Sequence, residues 1–399
     1  MTTVRNNVCY FQSGGPTQVI NSSFYGLYKA FKNDLSHGKF YVSRYGVNGL
    51  LNGKLELIPS NRNFKDLLVT PGASFGSARI KLTDDFSSPV WQSILKTLDE
   101  YQIGYLFVNG GNDSMDSASL IGKRVKKAKR DVKVIGIPKT IDNDLGYTDH
   151  CPGFGSAAKF VANSVIAIGK DDLAYEKGRI NIIETRGRDS GFIAASSLLA
   201  KKKGITPDFI FVPEVIFDVN EFLSKATSVF DKKGHCLVVV SEGIRDKNGN
   251  LIVSQKAQDS FGNTQVGGVA DYLSSLVSQK GYKTRGIELS LLNRAATFVP
   301  SLTDIKEASA CGEKAYLFAK KGRSGVRVTR ERAESASYKI NFSSVPLEKV
   351  ANKEKKLPLS YLSKNKDNIK DSYRDYVSPL IKGERNPFDS DGLVSVYCK

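Results

Sequence analysis

Two α/β lobes built on mostly parallel sheets are what this sequence predicts, and three observations carry the expectation. The chain has 399 residues, too many for one simple core, so two Rossmann-like lobes of roughly 150–200 residues each are expected. Short apolar, β-branched runs alternate with helical patterns, the mark of βαβ units. Several of those runs end in loops rich in glycine or charge, and in doubly wound sheets ligands sit outside the carboxyl ends of the strands.

Taken in order, Val8–Phe11 reads as a first strand, Ser13-Gly14-Gly15-Pro16 as a tight turn and Asn21–Phe31 as a helix. A strand, glycine turn and helix suit phosphate, because backbone N–H groups and the helix N-terminus face the ligand. Phe40–Tyr45 is a second strand, and Thr70–Arg79 is a glycine- and serine-rich loop ending in an arginine. Ile103–Val108 leads into Asn109-Gly110-Gly111-Asn112-Asp113-Ser114, and Ser114–Val125 has a helical pattern. Val132–Ile137 leads into the stretch 138–150, PKTIDNDLGYTDH, which carries Lys139, Asp142, Asp144 and Asp149. Charges just past a core strand are costly unless paired or bound to something. A second series follows. Gly153–Ile168 is helical, Arg179–Glu184 is a strand running into Thr185-Arg186-Gly187-Arg188, and Gly191–Leu199 is a small-residue helix. Phe209–Val212 and Leu237–Val240 are buried strands ending at Pro213-Glu214 and Ser241-Glu242-Gly243. Gly286–Asn293 and Lys314–Ala319 add a strand and part of a helix, and the polar tail from Lys353 is expected to wrap the body.

Composition excludes several classes. No apolar run approaches twenty residues and no signal-peptide pattern is present, so a cytoplasmic protein without a membrane partner is expected. Cys9, Cys151, Cys236, Cys311 and Cys398 form no CxxC pair, which fits reduced structural thiols. His37, His150 and His235 lack metal-ligand spacing, and His150 reads as structural. The net charge of +17 is spread along the chain without a nucleic-acid motif, so a basic surface with a site for multiply anionic ligands is expected instead of a nucleic-acid partner.

If the loops converge, the glycine turns supply N–H donors for phosphate oxygens. Arg79, Arg179, Arg188, Arg285 and Arg294 supply guanidinium groups, which pair with phosphate bidentately. Asp142 and Asp144 are two residues apart and in an extended segment point the same way; one can take a proton from a hydroxyl while the other holds a metal. Phosphoryl transfer needs mainly positioning and charge neutralisation, so the inventory suits a phosphotransferase. Alone, Asp142 would read as a turn-capping aspartate. There is no Walker A motif.

These residues resemble the phosphofructokinase family, particularly its pyrophosphate-dependent members. The resemblance rests on SGGPTQVINS, GASFGSAR, VNGGNDSMD, GIPKTIDNDLGYTDHCPGFGSAAK, INIIETRGRDSGFIAAS, FVPEV, VVVSEG and the LLNRAA region, and spans most of residues 8–320. It implies two interlocked lobes with the site in the cleft between them. Residues 1–152, with roughly 293–345 returning, would form one lobe, residues 153–292 the other, and residues 346–399 a wrapping segment. It implies Asp142 as the base on the sugar's 1-hydroxyl, Asp144 as a Mg²⁺ ligand, and Thr140, Ile141 and Asp142 beside the sugar. Gly14, Arg79 and Gly111 fall in the phosphoryl-donor loops. Gly187 and Arg188 match part of a Met-Gly-Arg sugar-binding turn, and Glu242 the carboxylate that bonds the sugar. Arg179 and Arg285 match arginines on its 6-phosphate, in many members across a subunit interface, and Arg294 a further phosphate-binding arginine.

Donor choice turns on Asp113 and Lys139, where ATP-using members usually have glycine. A carboxylate at 113 takes the space of an ATP α-phosphate, and an ammonium at 139 stabilises departing phosphate. Asn112 stands where many relatives have a metal-contacting aspartate and offers a carbonyl oxygen. Two departures concern the sugar: Arg186 replaces the usual methionine, and Leu291 a polar or aromatic contact. The resemblance thus implies a Mg²⁺-dependent, reversible transfer from pyrophosphate to fructose 6-phosphate by a homodimer or homotetramer. The rivals are an ATP-dependent phosphofructokinase, a paralogue acting on another sugar phosphate, and a non-catalytic binding protein.

Overall fold

The computed structural model describes residues 5–34, 36, 38–253, 267–335, 337–351 and 353–397; His37 and Cys398 lie outside them. In chain order the strands are β1 (Asn7–Ser13), β2 (Phe40–Ser43), β3 (Leu55–Ile58), β4 (Ser77–Ala78), β5 (Ile103–Gly110), β6 (Lys133–Pro138), β7 (Ile180–Thr185), β8 (Phe209–Phe211), β9 (Cys236–Ser241), β10 (Thr284–Glu288), β11 (Val326–Arg332) and β12 (Ile340–Pro346). Among the described residues they form two sheets. The larger has the order β12-β11-β6-β5-β1-β2-β3, with β4 pairing the end of β1, and the smaller has the order β10-β7-β9-β8. In the larger sheet β1, β2, β4, β5, β6 and β11 run parallel, with antiparallel edges at β3 and β12. The smaller sheet is parallel throughout.

The central strands are apolar on both faces because helices cover both sides. β9 and β7 are buried at every position. On one face of the larger sheet the helices Ile20–Lys32 and Leu302–Lys320 cross very closely. Gly26 lies against the Ser309 carbonyl and Gly312 against the Ser23 carbonyl, where a Cβ would overlap backbone. That reciprocal contact draws residues 302–320 back onto the first sheet.

The strands expected from sequence lie within a residue or two of those observed, with instructive differences. β2 stops at Ser43 because Tyr45 and Gly46 adopt left-handed backbone, φ 54° and 66°. The run expected as a strand over 286–293 divides into β10 and a helix, Ser290–Ala295. Past Phe192–Ala195 the small-residue helix tightens to a 3₁₀ run, Ser196–Lys203. β3, β4, β11, β12 and the helices Pro89–Glu100, Val219–Lys233 and Val269–Gln279 were not expected. β11 is hidden by arginines that look solvated in sequence, yet Arg327 and Arg330 are 0% exposed. Arg330 bonds the Glu307 carboxylate at 2.8 Å and the His150 carbonyl, while His150 itself lies between Asp149 and Glu307. Cys9, Cys151, Cys236 and Cys311 are buried free thiols. Among the described residues no helix is long and apolar enough to cross a membrane.

Candidate active site

The carboxyl ends of β1, β4, β5 and β6 meet on one edge of the larger sheet. β1 runs into Gly14, whose φ of +77° favours glycine. β4 brings Arg79 alongside, with the Gly14 N–H donating to the Ala78 carbonyl at 3.3 Å. β5 ends at Gly110; Gly111 then caps the helix Asn112–Lys127, placing Asn112 and Asp113 in its first turn. β6 ends at Pro138, and the Lys139 N–H donates to the Gly110 carbonyl at 3.0 Å. The buried Lys139 ammonium donates to the Gly15 carbonyl at 2.7 Å.

Asp142 and Asp144 do not lie in an extended segment, which corrects the expectation. Asn143 between them is left-handed at φ 58°, so this is a tight turn. Within the turn the Asp142 N–H donates to Thr140 Oγ1 at 3.1 Å, and Asn112 Nδ2 donates to Asp144 Oδ2 at 3.3 Å. Burial pushes the Asp144 carboxyl up to about 7, and repulsion from Asp142 adds to it. Ile141 turns away; its side chain is 5% exposed and joins an apolar cluster with Phe154 and Phe192. Only its backbone is left to face a ligand.

The smaller sheet contributes its own carboxyl edge. β7 ends in Arg186-Gly187-Arg188 and β9 in Glu242, with the Glu242 N–H on the Thr185 carbonyl at 2.9 Å. The Gly187 N–H donates to Glu242 Oε1 at 3.4 Å, and Arg186 Nη2 lies 3.5 Å from the same oxygen. Burial pushes Glu242 up to about 7, against the pull of Arg186. Arg188 Nε donates to Asp189 Oδ2 at 2.8 Å. Arg294 links the two edges: it lies over Gly15 and feels the charges of Arg186, Arg79, Asp142 and Glu242. Burial, then repulsion from Arg186 and Arg79, draws Arg294 down to about 10. Burial, then Arg294 and Arg79, draws Lys139 down to about 7. Mutually repelling cations beside two carboxylates are a receptor for a polyanion.

Arg179 and Arg285 are not part of this assembly. Arg179 precedes β7 and Arg285 is the second residue of β10, paired with Asn181, so both sit at the amino ends of strands whose carboxyl ends carry Thr185 and Glu288. Arg179 faces Asp172 at 3.7 Å and lines a separate cavity of about 660 Å³ with Tyr175 and Tyr282. Leu291 is 72% exposed.

The model for the family described as phosphofructokinase matches residues 7–319. The chain belongs to the phosphofructokinase family. A pyrophosphate–fructose 6-phosphate 1-phosphotransferase of Xanthomonas campestris is 39% identical over 398 residues, covering 97% of this chain and 94% of that one. A sulfofructose kinase of Alkalicoccus urumqiensis is 32% identical, covering 93% of this chain and 94% of its own length. A crystal structure titled pyrophosphate-dependent phosphofructokinase, from Nitrosospira multiformis, superposes with a TM-score of 0.88 at 34% identity, covering 98% of this chain and 96% of that one.

For a phosphofructokinase the question of a metal follows. Among the described residues no three His, Cys, Asp or Glu side chains group as a metal cage. Asn112 Oδ1, Asp142 Oδ1 and Asp144 Oδ1, however, are buried oxygens with no hydrogen-bond partner in the protein. Mg²⁺ is held in such sites by one or two carboxylates with water and substrate phosphate completing the shell, so the residues present fit it. The sequence led to the expectation that the tail wraps the body, but not that it reaches the site. Leu145 and Glu354 form an antiparallel bridge, and Glu354 feels the charges of Asp189, Arg188 and Asp113. In sequence KEKK reads as a solvated run, and only the Leu-Pro that follows hints at docking.

Proposed function

We propose that this phosphofructokinase transfers a phosphoryl group from pyrophosphate to the 1-hydroxyl of fructose 6-phosphate, giving fructose 1,6-bisphosphate and phosphate. The observation that carries the reading is Lys139, a buried ammonium on the Gly15 carbonyl, crowded by Arg79 and Arg294 and opposite Asp142 and Asp144. A short, highly charged donor answers that crowding. Asp142 takes the proton from the 1-hydroxyl as its oxygen attacks the terminal phosphorus, and the phosphorus–bridging-oxygen bond breaks. The leaving phosphate departs toward Lys139, Gly14 and Arg79, and Asp113 at the helix start disfavours a longer donor. Arg188 neutralises the group in flight. Asn112 and Asp144 would hold Mg²⁺, which when bound supplies charge neutralisation to the phosphoryl oxygens. Glu242 and Gly187 orient the sugar, with Thr140 beside it, and Arg294 meets phosphate. Because the leaving group is phosphate rather than ADP, the reaction is expected to run readily in both directions. Arg179 and Arg285 reach the sugar's 6-phosphate only across a subunit interface, so the reading includes a homodimer or homotetramer, at work in the cytoplasm.

A second acceptor is worth testing, since Arg186 places an extra cation beside Glu242 and a relative of similar identity is named for sulfofructose. The test is an initial-rate panel with Mg²⁺ present, pyrophosphate or ATP as donor, and fructose 6-phosphate or sulfofructose as acceptor. Turnover with pyrophosphate and fructose 6-phosphate at least about tenfold above every other pair is expected, a margin of about 1.4 kcal/mol in the barrier. Turnover with ATP alone would overturn the donor; preference for sulfofructose would overturn the acceptor.

A further inference from the structure

The tail residues 353–357 cross the molecule between the two halves of the site, and their contacts are with the site's own loops. The Lys355 N–H donates to the Asp144 carbonyl at 2.6 Å. The Lys355 ammonium donates to the Asp149 carbonyl at 2.9 Å, the Thr148 carbonyl at 3.2 Å and Asn143 Oδ1 at 3.4 Å. An ammonium has three hydrogens, and this one directs all of them at a single loop. Its other side faces the Phe192 ring, 5.1 Å from the centroid, in the second half of the molecule. Two residues on, the Leu357 N–H donates to Glu214 Oε1 at 2.7 Å, the oxygen that also accepts from the Gly191 N–H at 2.9 Å. Gly191 closes the turn that carries Arg186, Gly187 and Arg188. A single short segment thus bonds the loop bearing Asp142 and Asp144 at one end and, through Glu214, the Arg188 turn at the other.

The loop needs such a partner. Asn143 and Tyr147 are both left-handed without being glycine, at φ 58° and 57°. Such residues persist only where the surroundings over-determine them. Asn143 is held on all sides: its Oδ1 accepts from the Cys151 N–H at 3.0 Å as well as from Lys355, and its Nδ2 donates to the Tyr376 hydroxyl at 2.8 Å. Tyr376 comes from the same tail and donates in turn to the Asp149 carbonyl at 2.8 Å. Asn143 separates the proposed base from the proposed metal ligand, so its backbone sets the angle between the two carboxylates. Burying an ammonium is costly unless it is fully bonded, and burial draws the Lys355 pKa down. Three bonds into one strained loop repay that cost with geometry.

We propose that Lys355 is a positioning residue for phosphoryl transfer, fixing the Asp142–Asn143–Asp144 turn and, through Leu357 and Glu214, its distance from the Arg188 turn. The kinetic part rests on the activity proposed above; the geometric part does not. Lys355→Met removes all three side-chain bonds while keeping the apolar stem. It is expected to lower kcat about 10²-fold, as an ångström-scale misplacement does, with both KM values within about threefold of wild type. Hydrogen exchange at the amides of residues 141–149 should quicken at least about tenfold, as a local opening does. Lys355→Arg should fall between the two proteins on both readouts, and exposed Lys353→Met should match wild type. Unchanged exchange, or quickened exchange with kcat within about threefold of wild type, would overturn the proposal. If wild type turns over a different donor or acceptor, the activity falls and Lys355 is judged on that pair; if it turns over none, exchange alone decides. Should Lys355→Met fail to fold, Lys355→Arg and Lys355→Gln carry the same two measurements.

Discussion

Asp144 and Glu242 are acids held at about 7 by burial, with Asp142 adding repulsion in both cases. Their folded values lie above their unfolded ones, so between pH about 4 and 7 the folded chain binds more protons than the unfolded chain. Their contribution to stability is therefore greatest at low pH and is lost as pH rises toward 7. Lys139 is drawn down to about 7 from an ordinary value of 10.5. Between those values the folded chain binds fewer protons, so the destabilisation that Lys139 causes near neutrality eases as pH climbs toward 10.5. The three groups together place a weak point of the ligand-free protein near neutral pH, where the enzyme is proposed to work. Asp144→Asn removes one of the charges responsible. At pH 7 it is expected to stabilise the ligand-free protein by ~1–3 kcal/mol, with the gain shrinking below pH 5, while lowering activity. Thermal melts across pH 4–9 measure this, and a lower melting temperature at pH 7 would mean that Asp144 is paired in the resting protein. Such an exchange of stability for function is common at active sites.

Glycines separate two element-scale roles that sequence alone does not distinguish. A Cβ on Gly15 would first meet the Arg294 guanidinium, the mobile end of a side chain, whereas a Cβ on Gly312 would meet the Ser23 carbonyl of the crossing helix. Gly15→Ala is expected to cost under about 0.5 kcal/mol of stability and to raise the KM for the phosphate-bearing substrates by displacing Arg294. Gly312→Ala is expected to cost ~1–3 kcal/mol through overpacking and to leave KM unchanged. Urea melts paired with KM measurements check both, and the reverse pattern would overturn the assignment. The parallel strands that carry the site were legible because buried strands must be apolar on both faces, and β5, β6, β7 and β9 were found on that ground alone. β11 was not, because Arg327 and Arg330 break the pattern, and their burial depends on partners such as Gly146, Glu307 and His150 that lie far away in sequence. The convergence of Gly14, Lys139 and Asp142 could be expected, since all follow parallel strands expected from sequence, whereas Arg79 follows β4, which reads in sequence as part of a loop. Lys355 could not, because nothing local marks a lysine in a charged run as half-buried and bonded.

At the scale of the whole molecule, Arg179 and Arg285 do not share the cleft of their own chain. They lie at the amino ends of β7 and β10, while Glu242 and Arg188 follow the carboxyl ends of β9 and β7. One strand of six residues separates the two positions along β7, about 20 Å at ordinary strand rise, beyond the reach of an arginine side chain. If these arginines bind the sugar's 6-phosphate, as the family resemblance implies, the phosphate lies in the cleft of a second copy. In that case Asp142→Asn and Arg285→Ala disable different halves of a shared site. Each is expected to be nearly inactive as a homo-oligomer, the first because general-base catalysis is worth ~10²–10⁴-fold. When the two are mixed and allowed to exchange subunits, one site in each mixed pair carries both defects and the other carries neither. For a two-fold dimer, random pairing makes half the pairs mixed, so about a quarter of wild-type activity should return. Recovery at that level, lost when the subunits are crosslinked before mixing, fits a shared site. A mixture no more active than its components would assign Arg285 to its own surface and leave Arg294 as the phosphate-binding arginine of the cleft.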